Sequence, residues 1–307
     1  MGVEQDEVYE RWELELPAAP PRSKLYCLTP FGVGTAQVEG LTGYLMRLAE
    51  AHHVEWGVLA ELVGAYLPTP CQYRLPGLSA QRLCERWRDL SKIEVTLKDW
   101  VWAIEKLTLR IDLRELTMLE WADLIDLRSV YQSLRVWCPF CYEEWSVTGR
   151  PIYEPLLWNI KEVTVCLRHR RLLLRTCSYC NQLQSLIIGT SRVGHCGLCG
   201  LWLGASEEAG ALSGWSTEAD LERQQWVTSN VGDLTSVTAA LPRRLRRQQL
   251  AARLRAADRR NGRLFLTWSI DEVNAFLSGQ RLPSLAFLLD LCWKLKVGLL
   301  EFLTSEE

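Results

Sequence analysis

The sequence is poor in the usual means of catalysis. It has four histidines, none in a Ser-His-Asp arrangement, and neither a Walker loop nor a dinucleotide-binding glycine motif. Acidic residues abound, but none forms a pair that spacing alone marks as an acid/base couple. An RNase H-like nuclease would have to gather carboxylates from distant strands, and the helical patterning leaves little room for such a sheet. The chain also lacks an uninterrupted apolar run of about 18 residues, so no transmembrane helix is expected. Met1 to Glu15 is acidic and has no apolar centre, so it does not read as a signal peptide. The expected compartment is the bacterial cytoplasm, where thiols stay reduced.

What the chain does have is paired cysteine. Seven of its 11 cysteines fall between Cys138 and Cys199. With His169 they form four pairs, each with two residues between partners. The pairs are Cys138 and Cys141, Cys166 and His169, Cys177 and Cys180, and Cys196 and Cys199. A two-residue gap lets both side chains point at one ion, and two such turns complete a tetrahedron around Zn²⁺. Eight ligands make two closed sites with no position for a reactive water, so both zincs are read as structural. Seven thiols cannot all pair as disulfides, and an Fe–S cluster would prefer a different spacing. Two pairings are open. Sequential pairing gives a three-cysteine, one-histidine site followed by a four-cysteine site. Interleaved pairing gives a cross-brace, as in a RING-type ubiquitin ligase. The seven residues between His169 and Cys177 are longer than that pattern has, which favours sequential zinc ribbons. His195, beside Cys196, reads as a loop residue. Cys27, Cys71, Cys84 and Cys292 read as isolated buried apolar residues.

Apolar periodicity outlines the rest. Glu39 to His52 and Glu55 to Tyr66 read as two short helices in helix-turn-helix order. Arg47 is nearly their only cation, which is too little for reading DNA. Helices are expected again at 80–90, 97–109 and 113–131. Residues 204–216 read as a small-residue linker, with a helix from Thr217 towards Val231. Fourteen tryptophans spread from Trp12 to Trp293 read as core anchors. Four segments follow: an arm at 1–37, a helical module at 38–136, a double zinc ribbon at 137–203 and a helical module at 204–307. The fold class is mainly α.

The near-neutral net charge of −2 hides segregation. After Leu241-Pro242 a basic helix is expected, with Arg243, Arg244, Arg246, Arg247, Arg253, Arg255, Arg259, Arg260 and Arg263 against one acid, Asp258. Arginine forks suit phosphate, so this helix is a candidate contact for nucleic acid, with an acidic protein surface as the competing partner. Residues 269–296 are similar to the third and fourth helices of repressor-type domains. However, Asp271 and Glu272 fall where a base-reading helix would meet phosphate.

The residues around the metal ligands carry a family resemblance. Cys138-Pro139-Phe140-Cys141 with Trp145, then Pro155 to Trp158, and the ligand pairs through Cys196-Gly197-Leu198-Cys199-Gly200 resemble the zinc-ribbon block of the TniQ family. Val38 to Ala49, with Glu39-Gly40 and Arg47-Leu48-Ala49, resembles that family's opening helix. The resemblance implies a non-enzymatic transposition adaptor. Its expected partners are target DNA, an AAA+ transposition ATPase, the transposase indirectly, and a CRISPR effector such as Cascade with its guide RNA. It also implies a homodimer and no membrane. Longer relatives read a fixed attachment site, and at 307 residues this chain has less room to do so. The alternatives to the adaptor are a RING-like ubiquitin ligase and a stand-alone sequence-specific DNA-binding protein.

Overall fold

Glycine at the start of the first helix decides how the N-terminal half assembles. The structure is a computed structural model, and the residues described are 22–67, 93–204, 218–240, 244–261 and 268–304. The helix expected at 80–90, Cys71, Cys84, Arg243, Arg263, nearly all of the linker and the first part of the arm lie outside them. Helix α1 (Leu41–Ala51) begins at Gly40. A Cβ there would lie 2.3 Å from Asn159 Oδ1. The missing side chain lets the Gly40 amide donate to Glu154 O at 2.8 Å, while Leu156 donates back to Val38 O at 2.7 Å. The two stretches that resembled the TniQ family, 38–49 and 155–158, are thus in direct contact. Beside them Glu39 is fully buried and takes two hydrogen bonds from Arg47, at 2.6 and 2.7 Å. Burial pushes Glu39 above the usual carboxylate range, against the pull of Arg47.

Helix α2 (Trp56–Gly64) packs on α1, and α3 (Ile93–Thr108) packs on α2. The outward side of α2 carries Val58, Leu62 and Glu61, and no basic residue. With Arg47 committed to Glu39, the helix pair offers phosphate no cation and serves the core. Residues 22–37 lie along this body: Lys24 and Leu25 donate to Leu107 O at 2.8 and 2.9 Å, and Tyr26 stacks on His52 at 4.2 Å. Cys27, expected to be buried, is exposed on this stretch.

The single helix expected at 113–131 is not formed. Three short 3-10 segments, Leu113–Leu116, Leu119–Trp121 and Leu127–Ser129, take its place. Two features explain this. The Thr117 hydroxyl donates to Arg114 O and accepts from Leu119 N, and the Asp126 side chain accepts from Arg128 N, so local side-chain bonds displace the helical ladder. Leu113, Leu116, Met118, Leu119, Trp121, Leu124, Ile125 and Leu127 are also all buried, more than one stripe of a surface helix can hide.

Helix α4 (Pro139–Val147) starts with proline at its first turn. It leads to the one named strand pair among the described residues, the antiparallel β1 (Val165–Cys166) and β2 (Arg171–Leu172). Strands of two residues give no RNase H-like sheet there. Helix α5 (Glu218–Ser236) packs on β1, on the 156–159 turn and on the last helix. Then follow α6 (Arg247–Asn261), α7 (Ile270–Leu277), α8 (Leu285–Leu295) and α9 (Leu299–Thr304). Trp121 Nε1 donates to Leu234 O, and Asp126 N donates to Pro283 O, joining this end to the rest. One apolar cluster runs from Leu25 to Leu303 and holds Trp56, Trp100, Trp121, Trp137, Trp145 and Trp158. No helix among the described residues is long and apolar enough to cross a membrane.

Candidate metal centres

The eight paired residues gather into two groups, Cys138, Cys141, Cys166 and His169, then Cys177, Cys180, Cys196 and Cys199. The ligand atoms of each group lie within 4.8 Å of one another. The grouping is sequential, so the interleaved arrangement of a RING-type ligase is not found.

Each turn is built by the same backbone device. In three of them the amide of the residue after the second ligand reaches back to the carbonyl of the first: Arg170 to Cys166 at 2.8 Å, Asn181 to Cys177 at 2.9 Å and Gly200 to Cys196 at 2.9 Å. All three closing residues are left-handed, with φ of 50°, 53° and 75°. Asparagine and glycine tolerate that conformation best, and both stand where it is needed. In the first turn the corresponding bond, Tyr142 N to Cys138 O, continues into α4 instead. The amides of Leu198 and Cys199 also point at Cys196 Sγ, each at 3.4 Å.

The spacing of the ligand atoms tests whether a metal fits. Zn–S bonds of about 2.3 Å in a tetrahedron place two sulfurs about 3.8 Å apart, and a sulfur and an imidazole nitrogen about 3.6 Å apart. In the second group Cys177 and Cys199 Sγ lie 3.8 Å apart, and Cys180 and Cys196 Sγ 3.7 Å apart. In the first, His169 Nδ1 lies 3.4, 3.3 and 3.5 Å from Cys138, Cys141 and Cys166 Sγ. A disulfide would need about 2.05 Å. The residues therefore fit two tetrahedral ions. One sulfur in each group is already disposed to be a thiolate. Hydrogen bonds from Cys138 and Cys141 pull the Cys166 thiol far below the usual thiol range, against burial. At Cys196 burial opposes ionisation, but the amides of Cys199 and Leu198 win and bring it to about 6.

The surroundings of the two groups differ. Cys138, Cys141 and Cys166 are buried, and His169 turns Nε2 towards Glu144 Oε2 at 3.6 Å, where Arg168 also pairs. In the second group Cys177 and Cys196 are buried, Cys180 is half-buried and Cys199 is exposed. Arg135 joins the two regions. Its guanidinium is buried, bonded to Glu154 at 2.8 Å, to His195 O at 2.7 Å and to Arg192 O at 3.0 Å. Burial works against its charge, and Glu154 more than restores it. Sequence periodicity gave no sign of this buried ion pair. His195 Nδ1 meets Val193 O and stays outside both metal groups.

The arginine segment differs from the helix expected of it. Residues 244–246 are not helical, and α6 starts only at Arg247. Leu245 N is bonded to Leu303 O at 2.9 Å, which lays this stretch against α9 instead. Arg243 therefore has no described place on a shared helical face with Arg246 and Arg247. Several of the other arginines serve backbone carbonyls: Arg247 donates to Gln280 O at 2.7 Å, Arg253 to Phe302 O at 2.6 Å and Arg255 to Leu277 O. The last two carbonyls lie at the ends of α9 and α7, where a helix leaves acceptors unsatisfied. Arg244 is half-buried by Trp121 and Asp123, while Arg246, Arg259 and Arg260 are exposed.

A mainly helical protein organised on two four-ligand groups, each able to hold a metal ion, is thereby defined. Residues 30–173, just under half of the chain, match the model of the TniQ family. The family is associated with target selection in transposition. Comparison with curated proteins gives no match.

Proposed function

We propose that this chain is a target-selection adaptor for transposition, held in shape by two structural zinc ions and carrying out no chemistry itself. Cys138, Cys141, Cys166 and His169 hold one ion, and Cys177, Cys180, Cys196 and Cys199 the other. The observation that carries this reading is the TniQ match over 30–173, which spans the first ligand group together with the buried opening motif bonded to Glu154 and Leu156. With four protein ligands, a zinc ion has no open position for water, and its contribution is fixed geometry rather than Lewis acidity at a substrate. In this reading one surface meets a target-bound complex and another recruits the AAA+ transposition ATPase, which brings the transposase. The target-bound complex is an RNA-guided CRISPR effector such as Cascade.

Affinity capture tests the proposal. Tagged full-length protein is mixed with purified effector, guide RNA and target DNA, and then with the ATPase. Retention of the ATPase at the target only when the adaptor is present supports the reading. Tight, sequence-selective binding of a fixed operator by the chain alone, without recruitment, contradicts it and favours a stand-alone DNA-binding protein.

A further inference from the structure

The stretch that leads into α6 borders an open cavity of about 660 Å³, lined by Ala122, Asp123, Arg244, Leu245, Arg246, Arg247 and Leu282. Three of its seven lining residues are arginines and one is acidic. Asp123 Oδ2 lies 3.8 Å from Arg244 Nη2 and is itself largely exposed, so it offsets one of the three charges weakly. Arg244 Nη1 is buried and has no hydrogen-bond partner among the described residues. A buried, unpartnered guanidinium N–H is costly, and a ligand acceptor in the cavity would remove that cost. Arg247 uses one nitrogen on Gln280 O, and Arg246 is exposed with no side-chain hydrogen bond or ion pair among the described residues. The first turn of α6 contains no acidic residue to balance the cavity.

We propose that this cavity binds the phosphate backbone of a nucleic acid, with Arg244 and Arg246 as the principal contacts. Charge along α6 points to a polyanion rather than a single small anion. Its exposed positions after Arg247 are Gln248, Gln249, Ala252, Arg255, Arg259 and Arg260, with no acid among them. From Arg247 to Arg260 the helix rises about 20 Å, enough to follow several phosphates along one strand. Arginine forks match phosphate oxygens bidentately, and none of the cavity residues is an aromatic side chain that would stack a base, so the contact is independent of sequence.

The test uses the free full-length protein and a short labelled duplex of arbitrary sequence, with affinity measured between about 50 and 200 mM salt. Arg246→Gln should weaken binding about five- to tenfold at the low end and reduce the slope of log affinity against log salt by about one. Arg246→Lys should keep most of that slope, because it keeps the charge. Among the described residues Arg246 makes no side-chain bond that holds the fold, and a circular dichroism spectrum matching the unmodified protein confirms that each variant is folded. Inorganic phosphate should compete with the duplex in the unmodified protein, a readout that needs no variant. An unchanged affinity and slope for Arg246→Gln, or no duplex binding at low salt, overturns the proposal. So does a preference for polyglutamate over DNA, which would make the cavity a protein-docking site. The measurement involves neither effector nor ATPase, so its failure leaves the adaptor reading intact and its success does not depend on it.

Discussion

The two metal groups share a ligand geometry and differ in almost everything around it. The first is set into the core: α4 starts on its first pair, the β1–β2 hairpin carries its second, and three of its four ligands are buried. It also lies wholly inside the TniQ-matched segment. The second stands on turns closed by Asn181 and Gly200, has an exposed ligand in Cys199, and lies beyond that segment. The lesson is that equal metal chemistry need not mean equal weight in the fold. A metal in the first group would organise the surrounding helices, whereas one in the second would mostly organise its own two turns.

Mutating a core ligand should have the largest effect. A structural zinc contributes roughly 10–16 kcal/mol of apparent binding, and a whole domain is stable by about 5–15 kcal/mol. Cys166→Ser should therefore abolish cooperative unfolding and yield insoluble or molten protein, read by thermal melting with circular dichroism. A soluble variant that melts normally would erase the difference between the two groups.

Arg135→Met comes next. It leaves Glu154 buried and uncompensated, and it removes the bonds to His195 O and Arg192 O that tie the second region to the first. Losing one partner of such a pair costs about 3–5 kcal/mol. Urea denaturation should show that loss, together with faster release of the second metal.

Cys199→Ser should reduce the metal content from two ions to one, measured by elemental analysis, and leave the helical signal and the main melting transition nearly unchanged. Gly200→Ala should be milder still. At φ 75° an added Cβ is strained but meets nothing within 4 Å, so about 1 kcal/mol of local stability should be lost. Increased hydrogen exchange confined to 196–202 would register it.

Much of this comparison was legible in the sequence. Ligand identity followed from four two-residue gaps, because metal geometry demands local spacing, while the choice of sequential over interleaved grouping came from the structure. The left-handed turn closures at Asn181 and Gly200 emerged only from the structure. The buried partners were not legible. Nothing in the sequence marked Glu39 with Arg47 or Arg135 with Glu154 as ion pairs, since nothing local distinguishes a buried ion pair from a solvated one. The 113–131 segment had a helix-like apolar density, but its Thr117 and Asp126 side chains bond to nearby backbone instead. In the arginine segment the start of the helix was not legible: residues 244–246 precede α6, and Arg247, Arg253 and Arg255 turn to separate carbonyls.

Stepwise chelation followed by native mass spectrometry, with circular dichroism on the same samples, tests the central claim most directly. Two zinc ions per chain should be present at the start. The ion of the second group should leave first, with helical structure retained, and loss of the remaining ion should coincide with unfolding. Fewer than two bound ions in folded protein, or simultaneous loss of both, would contradict the assignment of one core centre and one peripheral centre.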